Sequence, residues 1–157
     1  MLYSFIQKRD KFHYLTFNCA NFGHNFNFMD KKVIAVAAFM GAVAIVLGAF
    51  GAHSLKAHLG ETELATFETG VRYQMYHALF LLFVGTTNLI SVKTKKNILW
   101  LVSAGVVFFS GSIYLLSTAS ITLMNTKIIG PITPLGGLLM ISGWIVLFAK
   151  IRGGKAE

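Results

Sequence analysis

The stretch VIAVAAFMGAVAIVLGAFGA, Val33 to Ala52, decides the fold. It carries no charge over a length that, coiled as a helix, crosses the hydrocarbon core of a bilayer, which takes about 20 residues. Backbone amides find no water at that depth, so the run must satisfy them internally as a helix. Small residues recur at Ala37, Gly41, Ala44, Gly48 and Gly51. Their spacing of three and four puts them on one face, where helix backbones can approach closely without any hydrophobic drive from lipid. That face is expected to pack inside a bundle.

Three more apolar runs follow. Tyr73 to Val92 is interrupted only by uncharged polar groups and His77. Asn97 to Thr126 is uncharged but too long for one span, so a helix over about 98–117 is expected, with a turn from Ser117 to Thr126. Ser103, Ser110 and Ser117 repeat every seven residues beside Ala104, Gly111 and Thr118, a second stripe expected to face protein. After Pro131, Thr133 suits an N-cap and Pro134 the first helical position, opening a span to Ile151 with Gly136, Met140 and Gly143 on one face. Trp100 and Trp144 fall toward one side of the membrane; Tyr73, Tyr76 and Tyr114 fall toward the other, as interfacial belts do.

The expected fold is therefore an all-α integral membrane protein: four transmembrane helices, about 33–52, 73–92, 98–117 and 134–151, in a compact bundle. Composition agrees, since 55% of the 157 residues are hydrophobic and 13% are charged, about half the charged fraction of a soluble domain. The formal charge of +8 does not form a basic face with interleaved aromatics, so no nucleic-acid partner is expected; the partner is the lipid bilayer. Cys19 is the only cysteine, which excludes an intramolecular disulfide and a cysteine metal cage.

Residues 1–28 differ from the rest, with six phenylalanines and several asparagines in no period. Met29-Asp30-Lys31-Lys32 stands directly before the first span, as the start of a membrane protein does. Either Met29 is the physiological initiator and 1–28 an over-called start, or 1–28 is a disordered cytoplasmic arm; 29–157 is the membrane domain.

Lys31, Lys32, Lys93, Lys95, Lys96, Lys150, Arg152 and Lys155 lie on one side in this scheme. Only Lys56, Arg72 and Lys127 lie on the other, with Glu61, Glu63 and Glu68. The positive-inside rule places both termini in the cytoplasm. Between the first two spans, Ser54 to Leu59 reads as a short capped turn stopped by Gly60. Leu64, Phe67 and Val71 share a helical face, so 62–71 reads as a short amphipathic segment on the membrane surface or leading into the second span.

The candidate functional positions are His53, Glu68, Arg72, His77 and Asn88. His77 is an ionisable group inside a span and shares a helical face with Asn88, a pattern that fits ligand, proton or metal handling. A neutral histidine bonded to a neighbouring serine or carbonyl explains it equally in kind. His53 ends the first span on the same side, so His53, His77 and Glu68 make a candidate two-histidine, one-carboxylate metal set; a helix-end histidine is the plainer reading. His58 reads as a solvated loop residue. Glu68 and Arg72, spaced i, i+4, read as a surface pair. Thr133 to Gly137 has no lysine after its glycines and so does not cradle phosphate, and Ser110-Gly111-Ser112 is no nucleophile elbow. No catalytic residue, cofactor or enzyme activity is expected.

Leu47–Leu55, Thr69–Leu79, Phe109–Leu116 and Thr133–Gly137 with Gly143-Trp144 resemble, in order, the family catalogued as domain of unknown function 423, or uncharacterised protein family 0382, to which eukaryotic transmembrane protein 256 is similar. The resemblance covers residues 33 to about 149 and has no counterpart for 1–28. It implies a small multi-pass protein of the bacterial plasma membrane and carries over no activity, cofactor or catalytic residue. Three functions follow as expectations. The first is a non-catalytic membrane component or assembly partner, possible as a homo-oligomer or with another membrane protein. The second is a small oligomeric transporter or channel using His77 and Asn88. The third is a metal- or haem-binding subunit through His53 and His77.

Overall fold

The computed structural model describes residues 27–122 and 129–153. Four long helices account for most of them: α1 (Phe28–His53), α2 (Glu61–Thr86), α3 (Val92–Ser117) and α4 (Ile132–Arg152). A 3₁₀ turn, Leu55–Ala57, links α1 to α2, and a single helical turn, Ala119–Thr122, follows α3. The described residues contain no strand. α1, α3 and α4 are each long and apolar enough to cross a membrane; at 26, 26 and 21 residues they measure about 39, 39 and 31 Å.

Consecutive helices pack antiparallel, and close contacts at glycine fix the register. A Cβ on Gly48 would meet Val71 at 3.4 Å, one on Gly51 would meet Phe67 at 3.1 Å, and one on Gly85 would meet Ile34 at 2.7 Å. The small-residue face of α1 therefore packs on α2 as its spacing predicts, with Ala37, Ala44 and Gly51 buried. The α3–α4 crossing is tighter still. A Cβ on Gly136 would collide with the Phe109 backbone nitrogen and the Gly105 carbonyl, and Gly143 faces Val102. Gly136, Met140 and Gly143 are buried together, again as their spacing predicts. The main core joins Val33, Leu81, Val84, Ile98 and Val102 across α1, α2 and α3. α1 rests mainly on α2 and α4 mainly on α3, with α1 touching α3 more lightly.

Several sequence boundaries move. Of the two readings of 62–71, the one that leads into the second span holds: these are the first turns of α2, and Leu64, Phe67 and Val71 pack with Leu55 and Leu59 of the linking turn. Gly60 starts α2 rather than stopping the turn: Leu64 donates to its carbonyl, and its own N–H donates to Glu63 at 3.0 Å. α2 ends at Thr86, not Val92. Thr87 takes an extended backbone, and its hydroxyl accepts the Leu89 N–H, a local bond that competes with helix continuation. α3 begins at Val92 with Ser91 as cap, which brings Lys93, Lys95 and Lys96 from the loop into the helix.

α4 begins at Ile132 with Pro131 before it, so Thr133 is no N-cap; its hydroxyl bonds Ser112 at 2.6 Å instead. In the α3 stripe Ser110 and Ser117 are buried, while Gly111 faces open space. Trp100 and Trp144 are exposed at one level, as belts require, but Tyr114 is turned inward. Residues 1–26, 123–128 and 154–157 lie outside the described residues, and with them nearly all of the 1–28 expectation, part of the 117–126 turn, Lys127 and Lys155.

Candidate functional site

The first polar centre is one the sequence reading did not single out. Asp30 sits in the first turn of α1, where Asn27 and Asp30 cap each other: the Asp30 N–H donates to Asn27 Oδ1 at 3.0 Å, and the Asn27 N–H donates to Asp30 Oδ2 at 3.1 Å. A carboxylate is favoured there by the unpaired N–H groups of the helix start. Its Oδ1 accepts a bond from Lys95 Nζ at 2.6 Å, and the same ammonium lies 3.5 Å from the Gly85 carbonyl at the end of α2. Asp30 is 1% exposed and Lys95 3%. One buried ion pair thus ties the starts of α1 and α3 and the end of α2 into one knot. A signal existed: Asn27-x-x-Asp30 before an apolar run is a capping pattern, and Asp30 stands directly beside Lys31 and Lys32 at the head of the first span. Reading Met29 as the beginning hid it.

The second centre lies deeper. Gln74 of α2 is buried; its amide donates to the Met40 carbonyl of α1 at 2.9 Å and accepts from Tyr114 of α3 at 2.9 Å. These bonds join three helices. They form part of the wall of a cleft of about 460 Å³ between α1 and α3, otherwise lined by apolar groups such as Val36, Phe39, Val43 and Val107, with Ser103 beside them. Ser103 Oγ and Ser110 Oγ are buried with no partner among the described residues.

The sequence candidates are dispersed. His77 is buried between the rings of Tyr73 and Phe80 on its own helix, which in turn meet Phe109 of α3 and Trp144 of α4, and its Nδ1–H donates to the Tyr73 carbonyl at 2.8 Å. His53 is exposed in the last turn of α1. Glu68 and Arg72 form an exposed pair at 4.0 Å, as their spacing predicts. His58 is exposed and donates to the Ser54 carbonyl.

Asn88 does not share a helical face with His77, because α2 ends at Thr86 and Asn88 is exposed in the connection to α3. The metal set fails too, for among the described residues no three His, Cys, Asp or Glu side chains converge. Geometry explains this: Glu68 and His77 are nine residues apart on one helix, about 13 Å along the axis and on opposite faces.

Comparison with known proteins finds relatives that are called membrane proteins. The family model described as "Protein of unknown function (DUF423)" matches residues 47–137. A UPF0382 membrane protein of Staphylococcus aureus is 42% identical over 120 residues, which is 74% of this chain and 92% of the relative. One from Staphylococcus epidermidis is 43% identical over 120 residues, with the same coverage of both chains. The UPF0382 membrane protein YwdK of Bacillus subtilis is 41% identical over 119 residues, covering 74% of this chain and 93% of the relative. No solved structure matches the chain.

Proposed function

Because this chain belongs to the DUF423 family, the UPF0382 membrane proteins, we propose that it is a non-catalytic, four-span component of the plasma membrane that works by assembling with another membrane protein. The observation that carries this reading is how the strongly polar interior groups are used. Asp30 is held by Lys95, Gln74 by Tyr114 and the Met40 carbonyl, and Ser112 by Thr133. Each bond joins different helices, so these groups serve to hold the bundle together, as interhelical polar contacts in lipid do. α1 is the most apolar of the three evident spans and the least enclosed, with Phe39, Ile45 and Val46 turned outward. Such a face suits lipid or a partner helix.

The knot supports this topology. If α1 and α3 both cross, their starts joined by Asp30 and Lys95 lie on one side, and α2 must return across the bilayer between them. The polar residues that lower α2's hydropathy, Gln74 and His77, are buried against neighbouring helices and not against lipid. α4 then ends on the side where α1 began, and the excess of lysine there places both termini in the cytoplasm.

Reconstitution into liposomes tests the reading together with a photo-crosslinker at Ile45 in native membranes. No ion or solute flux above protein-free vesicles is expected, with one membrane protein captured repeatedly. Saturable flux that disappears in His77→Ala would establish the transporter reading instead.

A further inference from the structure

The cleft between α1 and α3 has a direction. α1 contributes Val36, Phe39, Val43 and Leu47, and α3 contributes Ser103, Val107, Gly111 and Tyr114. Since Asp30 and Lys95 hold the starts of the two helices together, they run parallel, and both sets of residues descend from the same end. Val36 to Leu47 and Ser103 to Tyr114 each cover about 16 Å, close to half of the roughly 30 Å hydrocarbon core. The cleft is thus one leaflet deep and opens sideways between two helices that are long and apolar enough to span.

Its upper end is charged. Lys32 precedes Val36, Phe39 and Val43 by four, seven and eleven residues, and Lys96 precedes Ser103 and Val107 by seven and eleven. Helical periodicity puts each lysine on the face of its helix that lines the cleft, one to two turns above it. Both are exposed, whereas their neighbour Lys95 is consumed by Asp30. Trp100, on the Lys96 face and 64% exposed, stands one turn below it, toward the cleft, as an indole anchored at the headgroup boundary does.

We propose that this cleft binds one anionic glycerophospholipid, its phosphate between Lys32 and Lys96 and an acyl chain against Val36, Phe39, Val107 and Gly111. Charge complementarity at one end and a depth of one leaflet together select a lipid. A helix from a second copy would need a trough running the full width of the membrane. The inference needs only that α1 and α3 span, so it stands or falls separately from the assembly role.

Native mass spectrometry of the full chain in mild detergent, with phosphatidylglycerol or phosphatidylcholine added, tests it. One phosphatidylglycerol per chain is expected to be retained over phosphatidylcholine. Lys32→Gln with Lys96→Gln should weaken retention by roughly fivefold or more, as loss of basic residues near an anionic headgroup does. Gly111→Leu should do the same with every charge intact; Gly111 lines the cleft and a Cβ there meets no atom within 4 Å, so the larger side chain grows into open space without disturbing the bundle. Lys31→Gln with Lys150→Gln removes the same charge away from the cleft and should leave retention unchanged. Equal retention of both lipids, equal loss in the Lys31/Lys150 variant, or a dimer that Gly111→Leu converts to monomer would overturn the proposal. Displacement by inorganic phosphate alone would do so too.

Discussion

α3 meets α4 through glycine and meets α1 through charge, and the two flanks look different as a result. Toward α4, Gly105, Gly136 and Gly143 let backbone lie on backbone and the seam closes there, opening only beyond the glycines into a cleft of about 480 Å³ beside Leu115, Ile129 and Ile132. Toward α1, a cleft of about 460 Å³ lined by Val36, Phe39, Val106 and Val107 remains, and contact is concentrated in a buried ion pair at one end and the Gln74 bridge further down. Lipid offers no hydrophobic drive for helix association, so side-chain size and polar pairing decide where two spans touch. Small residues close a seam over the turns where they stand; a polar pair pins it at a point.

Breaking the pin should have the largest effect. Lys95→Met leaves Asp30 buried without its cation, and loss of one partner of a buried pair costs about 3–5 kcal/mol. Unfolding in mixed micelles with rising dodecyl sulfate measures it. Adding Asp30→Asn, which keeps an oxygen for the Asn27 N–H, should recover most of the loss, since the uncompensated charge is then gone. If the double variant is as unstable as Lys95→Met alone, the pair is not the source of the effect.

Breaking the seam comes next. Gly136→Leu forces a side chain into the Phe109 and Gly105 backbone and should cost about 1–3 kcal/mol or more. Gly111→Leu, on the open flank of the same helix, should leave stability unchanged or slightly raised, because leucine is the better helix former. That contrast sharpens the comparison most, for the two substitutions are chemically identical. Equal destabilisation by both would mean that the flanks do not differ as described.

Smaller effects follow from the deeper bonds. Tyr114→Phe removes the hydroxyl that donates to Gln74 and should cost about 1 kcal/mol, as interhelical hydrogen bonds in membranes do. Glu68→Gln, which removes one half of an exposed pair, should fall within about 0.5 kcal/mol of the parent in the same assay.

Much of this was legible beforehand because spacing alone encodes it. Ala37 to Gly51 on α1 and Gly136 to Gly143 on α4 pack inward as their three-and-four repeats require. What the sequence hid was what depends on distant partners. Asp30 and Lys95 are 65 positions apart, and in a linear reading the lysine merely adds to a topology bias. Asn88 was placed beside His77 because hydropathy continues past Thr86, but hydropathy does not register the Thr87 hydroxyl turning the chain. The His53, Glu68 and His77 set illustrates the same limit. Proximity in sequence puts three candidate ligands in one region, and helical phase sends two of them to opposite faces.

With α1 and α3 both crossing, the proposed topology puts the α1–α2 and α2–α3 connections on opposite sides of the bilayer. Single cysteines at Lys56 and Asn88, each with Cys19→Ser, test this with a membrane-impermeant maleimide. The cysteine at 56 should label in intact cells and the one at 88 only after the cells are opened. If both label under the same condition, α2 does not cross the membrane and the paired starts of α1 and α3 have been misread.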